Sequence, residues 1–437
     1  MRRADGPGIR GGTVVIKIAL VGFGTVGQSV ARILCEGARR PLALSVICNR
    51  QVERKRVDWI PEDVIWTSDF EDVVRSDADV VVEVIGGMDP AAAWIRRALE
   101  AGKSVVTANK QVMAEVGADL MDVAAAGRCH LLFEAAVAGG IPIIRAVRDG
   151  LAGDRLRRVL GVLNGTCNYV LTRMEASQAS FDDALREAQE RGYAEADPTA
   201  DIDGGDAQAK LAILSAVGLG RRVAAGTIPL RSIRPVDQVD FTYARRLGCT
   251  IRQVSRAEVL DGDGEGVTAS VQPMLVALTS PLARAEGSQN VVVIEGARGG
   301  ETAFRGFGAG GDPTAVAIVS DLEAIARSGP PASPSWQPAA EQASVETDFV
   351  APHYLRFVIV DRPGILASIA GVFWRHGLNV DAVLQEPGWP KSALPFVVTL
   401  ERCSARKVQA ALADIEAFDF HARRPVWMPL LPRGDRC

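Results

Sequence analysis

The run Gly22-Phe23-Gly24-Thr25-Val26-Gly27 constrains the fold of this chain more than any other stretch. Three glycines at this spacing separate two segments of different periodicity. Residues 17–21 form an apolar strand-like run, and residues 28–34 carry a helical pattern. A strand that enters a glycine turn and leaves as a helix is the context that a dinucleotide fingerprint requires. In that reading Gly22 permits the tight turn, Gly24 lets a pyrophosphate approach the backbone, and Gly27 lets the helix pack on the strand. The unpaired N–H groups at the helix start then face the anion. A glycine-rich turn without a ligand is the bland alternative, and the flanking strand and helix weigh against it.

A second strand is expected over residues 42–48. It ends at Cys48-Asn49-Arg50, about 20 residues beyond the glycines, where an NAD site commonly carries an acidic residue for the ribose 2′-hydroxyl. Arg50 stands there instead, followed by Arg54, Lys55 and Arg56, and a guanidinium fork suits a 2′-phosphate. NADP is therefore the expected cofactor, with NAD as the alternative, and a solvated basic loop is the competing reading. Further strands are expected over 80–85, 105–107 and 131–133, with helices over 91–101 and 114–126. This alternation is the grammar of a parallel, doubly wound α/β sheet.

The 437 residues exceed one ordinary hydrophobic core and imply several domains. A Rossmann-like domain is expected over 14–147, completed by 306–328, after a disordered leader over 1–13. An α+β substrate and dimerisation domain follows over 148–305, with helices at 181–191 and 206–214 and strands at 267–276 and 290–295. Closely spaced prolines after Ser328 predict a linker over 329–350. Beyond it a β-α-β-β-α pattern occupies 351–430, with strands at 354–360 and 396–401 and helices at 364–376 and 405–415. The net charge of -4, with both signs interspersed, points away from nucleic acid and membrane surfaces and toward small metabolites. Seven singly placed cysteines fit a reducing cytoplasm rather than a disulfide scaffold.

In the middle domain Gly192-Tyr193-Ala194-Glu195-Ala196-Asp197-Pro198 is followed by Asp201, and Asp206 and Lys210 then stand four apart on one helix face. Carboxylates suit a substrate that bears an ammonium group. A lysine positioned by an aspartate can protonate a carbonyl oxygen. An ordinary i,i+4 surface salt bridge is the alternative at this point.

These stretches, together with Thr107-Ala108-Asn109-Lys110, Glu134-Ala135-Ala136-Val137-Ala138-Gly139-Gly140-Ile141-Pro142, Asn164-Gly165-Thr166 and Phe307-Gly308-Ala309-Gly310-Gly311-Asp312-Pro313, resemble the homoserine dehydrogenases in order and spacing. The resemblance implies reduction of L-aspartate 4-semialdehyde to L-homoserine, a step of threonine, methionine and isoleucine biosynthesis. It implies that Lys210 is the proton donor, that Asp206 orients it, and that Lys110 faces the nicotinamide and the reacting carbon. Glu195 then binds homoserine, and Gly165, Thr166, Tyr193 and Asp201 line the substrate pocket. Thr25, Val26, Thr107, Lys110 and Gly308 fall at cofactor-contacting positions. The resemblance also implies a monovalent cation, expected to be sodium, on the Glu134 carboxylate and the carbonyls of Val137, Gly139 and Ile141, oxygen donors suited to a hard ion.

The C-terminal run Tyr354-Leu355-Arg356-Phe357-Val358-Ile359-Val360-Asp361-Arg362-Pro363-Gly364 resembles a ferredoxin-like ACT domain, which implies an amino-acid effector near the Gly364 turn, with threonine expected. A domain that only dimerises is the alternative, and a homo-dimer or homo-tetramer is expected. Cys167 stands where the resembled family commonly has threonine. A cysteine beside a cofactor site raises a rival thioester chemistry, but such a thiolate wants a histidine base. His130, His353, His376 and His421 form no such motif, so Cys167 is read as a packed small residue. A catalytically silent amino-acid sensor is the other rival, and the presence of both Lys110 and Lys210 argues against it.

Overall fold

The computed structural model describes residues 15–36, 41–260, 266–328 and 342–431. The expected leader and the Pro-rich part of the expected linker lie outside these residues. The chain divides into two compact units, one built from the N-terminal region and residues 310–328, the other from the middle and C-terminal regions.

The first unit holds a six-stranded parallel sheet. Its strands are β1 (Ile16–Val21), β2 (Leu42–Cys48), β3 (Ile65–Thr67), β4 (Val80–Glu83), β5 (Ser104–Thr107) and β6 (Leu131–Leu132), in the order β3-β2-β1-β4-β5-β6. The order reverses at β1, beside the glycine turn, which is where open α/β sheets place their ligands. Two boundaries differ from expectation for local polar reasons. Strand β4 stops at Glu83 because its carboxylate turns back to accept the Ile85 and Gly86 N–H groups at 2.8 and 3.3 Å. The helix expected to start at 114 starts at Lys110, because the Asn109 side chain caps it by accepting from Val112 N at 3.2 Å. Helix Gly311–Ser328 closes this unit. Its Ala315, Ile318 and Leu322 pack into one core with Ile18, Leu20 and Val30.

The second unit holds two sheets. The larger is mixed, in the order β11-β10-β7-β8-β9-β12. It comprises β7 (Leu156–Val162), β8 (Cys249–Val259), β9 (Val267–Ala277), β10 (Gln289–Gly296), β11 (Gly300–Phe307) and β12 (Val345–Glu346). Strand β12 falls within the expected linker, yet it pairs with β9 in parallel, so the end of that segment belongs to the sheet. Helices Gly165–Ser177 and Gly205–Leu219 belong to the same unit, and the second runs five residues beyond its predicted end.

The smaller sheet, in the order β14-β15-β13-β16, is antiparallel. It contains β13 (Val350–Ile359), β14 (Val380–Gln385), β15 (Leu394–Ser404) and β16 (His421–Pro429). With helices Ile365–Arg375 and Ala405–Glu416 this completes a β-α-β-β-α-β unit, one strand more than the sequence pattern suggested. Alternation along the strands accounts for its packing. Leu355, Phe357, Phe396, Val398 and Trp427 face the two helices. Tyr354, Val397, Val426 and Met428 face the other way, into a core shared with Tyr169, Tyr243 and Ile251 of the middle domain. A sheet covered on both faces reads as a continuous apolar run, and this hides its period of two in the sequence.

The C-terminal sheet also meets helix Gln238–Arg246 of the middle domain, and the contact carries a buried polar cluster. Tyr354 Oη donates to Asp240 Oδ1 at 2.7 Å, Arg356 Nε lies 3.0 Å from the same oxygen, and an Arg356 Nη donates to Pro235 O at 2.7 Å. Within the C-terminal domain His353 is fully buried; it accepts from Trp427 Nε1 at 3.0 Å and faces Cys403 O at 3.1 Å through Nε2. Burial pushes its pKa down to about 4, so the ring is neutral and Nε2–H donates to that carbonyl.

Candidate active site

In the second unit one asparagine organises the chemistry-bearing residues. Asn164 caps helix Gly165–Ser177, its Oδ1 accepting from Cys167 N at 2.8 Å. Its Nδ2 donates to Asp201 Oδ1 at 2.6 Å and to Asp206 Oδ2 at 2.9 Å. Asp206 Oδ2 also accepts from Lys210 Nζ at 2.7 Å, one helical turn on. Lys210 Nζ donates a second hydrogen bond to Leu163 O at 2.8 Å, and that carbonyl is shared with Asn290 Nδ2 at 2.9 Å. Both members of the Lys210–Asp206 pair are about one-tenth exposed, which separates it from a solvated surface bridge. An ammonium has three donors, two of which are committed. The third has no partner among the described residues.

Thr166 Oγ1 lies 2.6 Å from Tyr193 O and 3.0 Å from Asp201 Oδ2, so Thr166, Tyr193 and Asp201 belong to the same cluster. Gly165 is there for clearance: a Cβ would sit 2.9 Å from Ser288 O. Tyr193 is partly exposed, and its ring centroid lies 4.8 Å from that of Tyr169 in a tilted arrangement. Glu195 is exposed, and among the described residues only its backbone is tied down, by Gln189 Nε2 at 3.1 Å. Its carboxylate is open to a cationic ligand. Cys167 has no exposure, and its Sγ lies 3.1 Å from Asp201 O. Burial, reinforced by the Asp201 and Asp206 charges, raises the thiol pKa well above its ordinary value, the reverse of what a nucleophilic cysteine needs.

The glycine turn of the first unit has the packing its spacing predicts. Gly22 has φ +104°, and a Cβ there would lie 2.8 Å from Val84 O. A Cβ on Gly27 would lie 2.2 Å from Gly22 O, so only glycine lets helix Thr25–Glu36 meet the strand end. A Cβ on Gly24 meets nothing within 4 Å, leaving the backbone open to a ligand. Thr25 and Val26 form the first turn of this helix, where an anion is favoured. Arg50 is exposed on the turn after β2 and has no partner among the described residues. Arg56 lies over the Trp66 ring at 5.8 Å.

At the far end of β5, buried Thr107 donates to Glu83 Oε2 at 2.5 Å and accepts from Asn109 N at 3.0 Å. Asn109 Nδ2 donates to Gly87 O at 2.7 Å. The chain Glu83–Thr107–Asn109 thus fixes both the loop after β4 and the helix start that presents half-buried Lys110. Glu134 is buried in a short 3-10 turn, and its backbone N–H donates to Asp321 Oδ2 at 2.9 Å. Val137 and Ile141 are buried, while Ala138 and Gly139 are both left-handed (φ +54° and +43°), so the backbone turns sharply between them. In the second unit Gly308 is pressed against Asn290, where a Cβ would fall 2.0 Å from Nδ2.

The sequence reading missed Glu83, Asn164 as a bridge between two carboxylates, and Asn290. Asn164 had one legible signal, its position just before a helix as a capping residue. Glu83 and Asn290 lie in apolar strands and had none.

Comparison with known proteins adds an independent line. The homoserine dehydrogenase family model matches residues 142–322, the NAD-binding domain model of the same family matches 22–134, and the ACT domain model matches 353–420. A homoserine dehydrogenase of Synechocystis sp. is 37% identical over 424 residues, which cover 93% of this chain and 97% of that one. The crystal structure of a homoserine dehydrogenase from Thiobacillus denitrificans superposes with a TM-score of 0.86 at 34% identity, covering 95% of this chain and 98% of that one. A hyperthermophilic archaeal homoserine dehydrogenase in complex with NADPH matches at a TM-score of 0.60 and 29% identity, over 71% of this chain and 97% of that one. With the glycine turn, the Lys210–Asp206 pair and these relatives spanning nearly its whole length, the chain belongs to the homoserine dehydrogenase family.

Proposed function

We propose that this chain reduces L-aspartate 4-semialdehyde to L-homoserine with NADPH in preference to NADH, and that Lys210 protonates the carbonyl oxygen. The observation that carries the assignment is the uncommitted third N–H of Lys210, a buried donor whose other two bonds fix its direction. When bound, the reduced nicotinamide supplies the hydride to the carbonyl carbon. The chain's own residues do the rest. Lys210 delivers the proton to the oxygen as the C=O bond becomes C–OH. Asp206 and Leu163 O hold its Nζ, and Asn164 holds Asp206. Glu195 takes the substrate ammonium, with Tyr193, Gly165, Thr166 and Asp201 shaping the pocket around it. Lys110, held at its helix start by the Asn109 cap, is assigned to the reacting carbon. A spectrophotometric assay that follows NADPH formation from homoserine tests this reading, and an enzyme inert toward homoserine with both cofactors would overturn it.

The cofactor site is assigned to Gly22, Gly24, Thr25, Val26, Gly27, Arg50, Thr107, Lys110 and Gly308. The open backbone at Gly24 and the unpartnered Arg50 fit a dinucleotide with a 2′-phosphate. Arg50→Asp is expected to shift preference from NADP toward NAD, because it replaces a phosphate partner with a repelling charge that can accept from a ribose hydroxyl. Unchanged relative kcat/KM values for the two cofactors would mean that Arg50 is merely solvated.

Residues 134–141 are assigned to a monovalent cation, sodium by expectation, through the Glu134 carboxylate and the carbonyls of Val137, Gly139 and Ile141. The two consecutive left-handed residues support this, since such a turn brings carbonyls together, and oxygen donors suit a hard ion.

The C-terminal domain is assigned to an L-threonine effector at the Gly364 turn and to pairing with a second copy of the chain in a homo-dimer or homo-tetramer. Leu366 and Trp374 stand exposed on one helix, and Val380 and Val383 are exposed on the sheet edge formed by β14, an apolar surface suited to pairing. Threonine is expected to inhibit several-fold rather than completely, the usual scale of allosteric coupling, about 1–3 kcal/mol. Calorimetry with threonine on the intact chain checks this. Absence of binding by threonine or any other amino acid would reduce the domain to a dimerisation module.

A further inference from the structure

A cavity of about 440 Å³ lies in the second unit where the C-terminal sheet meets the middle domain, apart from every residue assigned above. Its wall carries four arginines, Arg234, Arg356, Arg423 and Arg424, against one carboxylate, Asp237. Asp240, Asp237 and Asp203 partner three of them, which leaves an excess of positive charge round the concavity that an anion would offset. The four differ in how they are held. Arg356 is about one-twentieth exposed and fixed by Asp240 and Pro235 O. Arg423 is solvent-accessible and pairs with Asp237 at 3.0 Å. Arg234 is 4.0 Å from Asp203. Arg424 is exposed and has no partner among the described residues.

Arg423 and Arg424 are neighbours on one strand, and in a regular strand their side chains would point to opposite faces. They line the same cavity because the strand is irregular there. Between Arg356↔Val426 and Val358↔Arg423 the register advances two residues on β13 and three on β16, the mark of a bulge. A bulge re-aims side chains and is common where a site is built. Helix Gly165–Ser177 adds a mechanical link. Its first turn carries the Asn164–Thr166 cluster, and its far end, roughly 20 Å away, supplies Met174 and Gln178 to the cavity wall. Gln238 Nε2 fastens that end by donating to Met174 O at 2.7 Å and Ala179 O at 2.6 Å.

We propose that this cavity binds a small, multiply charged anion, a di- or tricarboxylate or a phosphate ester, whose oxygens engage the guanidinium forks of Arg423 and Arg424. The site is distinct from the Gly364 turn and does not depend on the reaction assigned above. The test is calorimetry on the full chain with NADPH saturating, so that the phosphate-binding surface of the cofactor site is occupied, using citrate, succinate and inorganic phosphate as separate titrants. At least one is expected to bind in the millimolar range or tighter. A carboxylate that binds while phosphate does not, or the reverse, identifies the class.

The double variant Arg423→Ala/Arg424→Ala changes two exposed side chains and is expected to fold and to bind about tenfold or more weakly. Arg155→Ala, in a separate arginine-lined depression, is expected to bind like the parent. Absence of heat with all three titrants would overturn the proposal. So would equal affinity in the double variant, or an equal loss in Arg155→Ala, since either would mean that the anion binds elsewhere.

Discussion

Replacing Lys210 with alanine is expected to lower turnover of homoserine by about 10²-fold or more, the scale on which a positioned general acid or base contributes. That corresponds to roughly 2.7 kcal/mol of lost transition-state stabilisation. The expectation rests on the geometry of one nitrogen. Lys210 Nζ is held by Asp206 Oδ2 at 2.7 Å and Leu163 O at 2.8 Å, and its remaining hydrogen has no protein partner among the described residues. The loss should fall mainly on kcat, because the proton moves as the bond order changes, while Glu195 and Tyr193 continue to hold the substrate. Asp206→Asn is expected to retain an oxygen for Lys210 and to lose less. A melting curve separates catalysis from folding, since Lys210 belongs to a buried network. A well-folded Lys210→Ala enzyme with near-parental turnover would remove the proton-donor assignment.

The second large effect is on stability. Asp240→Ala is expected to cost about 3–5 kcal/mol, the range for removing one partner of a buried ion pair. Asp240 has no exposure, and it is the acceptor for Tyr354 at 2.7 Å and the counter-charge of Arg356 at 3.0 Å. Burial raises the Asp240 carboxyl pKa even though Arg356 and Tyr354 favour its charged form, so the cost of desolvating the pair offsets much of its attraction. It follows that the direction of the effect depends on what is removed. Without Asp240, the buried Arg356 keeps only the more distant and more exposed Asp237 carboxylate, 3.8 Å away, as a counter-charge. Replacing both partners, as in Asp240→Leu with Arg356→Met, is expected to recover most of the lost stability. Urea unfolding of the three proteins decides the matter, and an Asp240→Ala transition within about 1 kcal/mol of the parent would show that the pair does not hold the C-terminal sheet in place.

The stability effect also bears on regulation. The C-terminal sheet shares a core with the middle domain through Tyr354, Val397, Val426 and Met428, and that core includes Cys167, Tyr169 and Ile202, next to the Thr166 and Asp201 of the candidate site. A ligand that shifts this sheet therefore acts on packed side chains contiguous with the residues proposed to hold the substrate. No helix among the described residues is long and apolar enough to cross a membrane.

The sequence by itself determined the parallel sheet, since the glycine turn, the strand periodicity and the close approach at Gly27 are all local in the chain. It also determined the Lys210–Asp206 pair, because a spacing of four fixes a shared helix face. Helix starts were less legible, since a side-chain cap such as Asn109 overrides the apolar pattern. Strands β7, β8 and β16 were not legible as strands, because their residues are satisfied by partners distant in sequence or by packing on both faces, and β11 was not because it is a largely exposed edge strand with no apolar run. Only the tertiary structure decided that Asn164 bridges Asp201 and Asp206, that Glu83 anchors Thr107, and that Asp240 neutralises Arg356 across 116 positions of chain. Each of these joins polar groups brought together by the burial of apolar surface, and neither composition nor periodicity records which polar group will meet which.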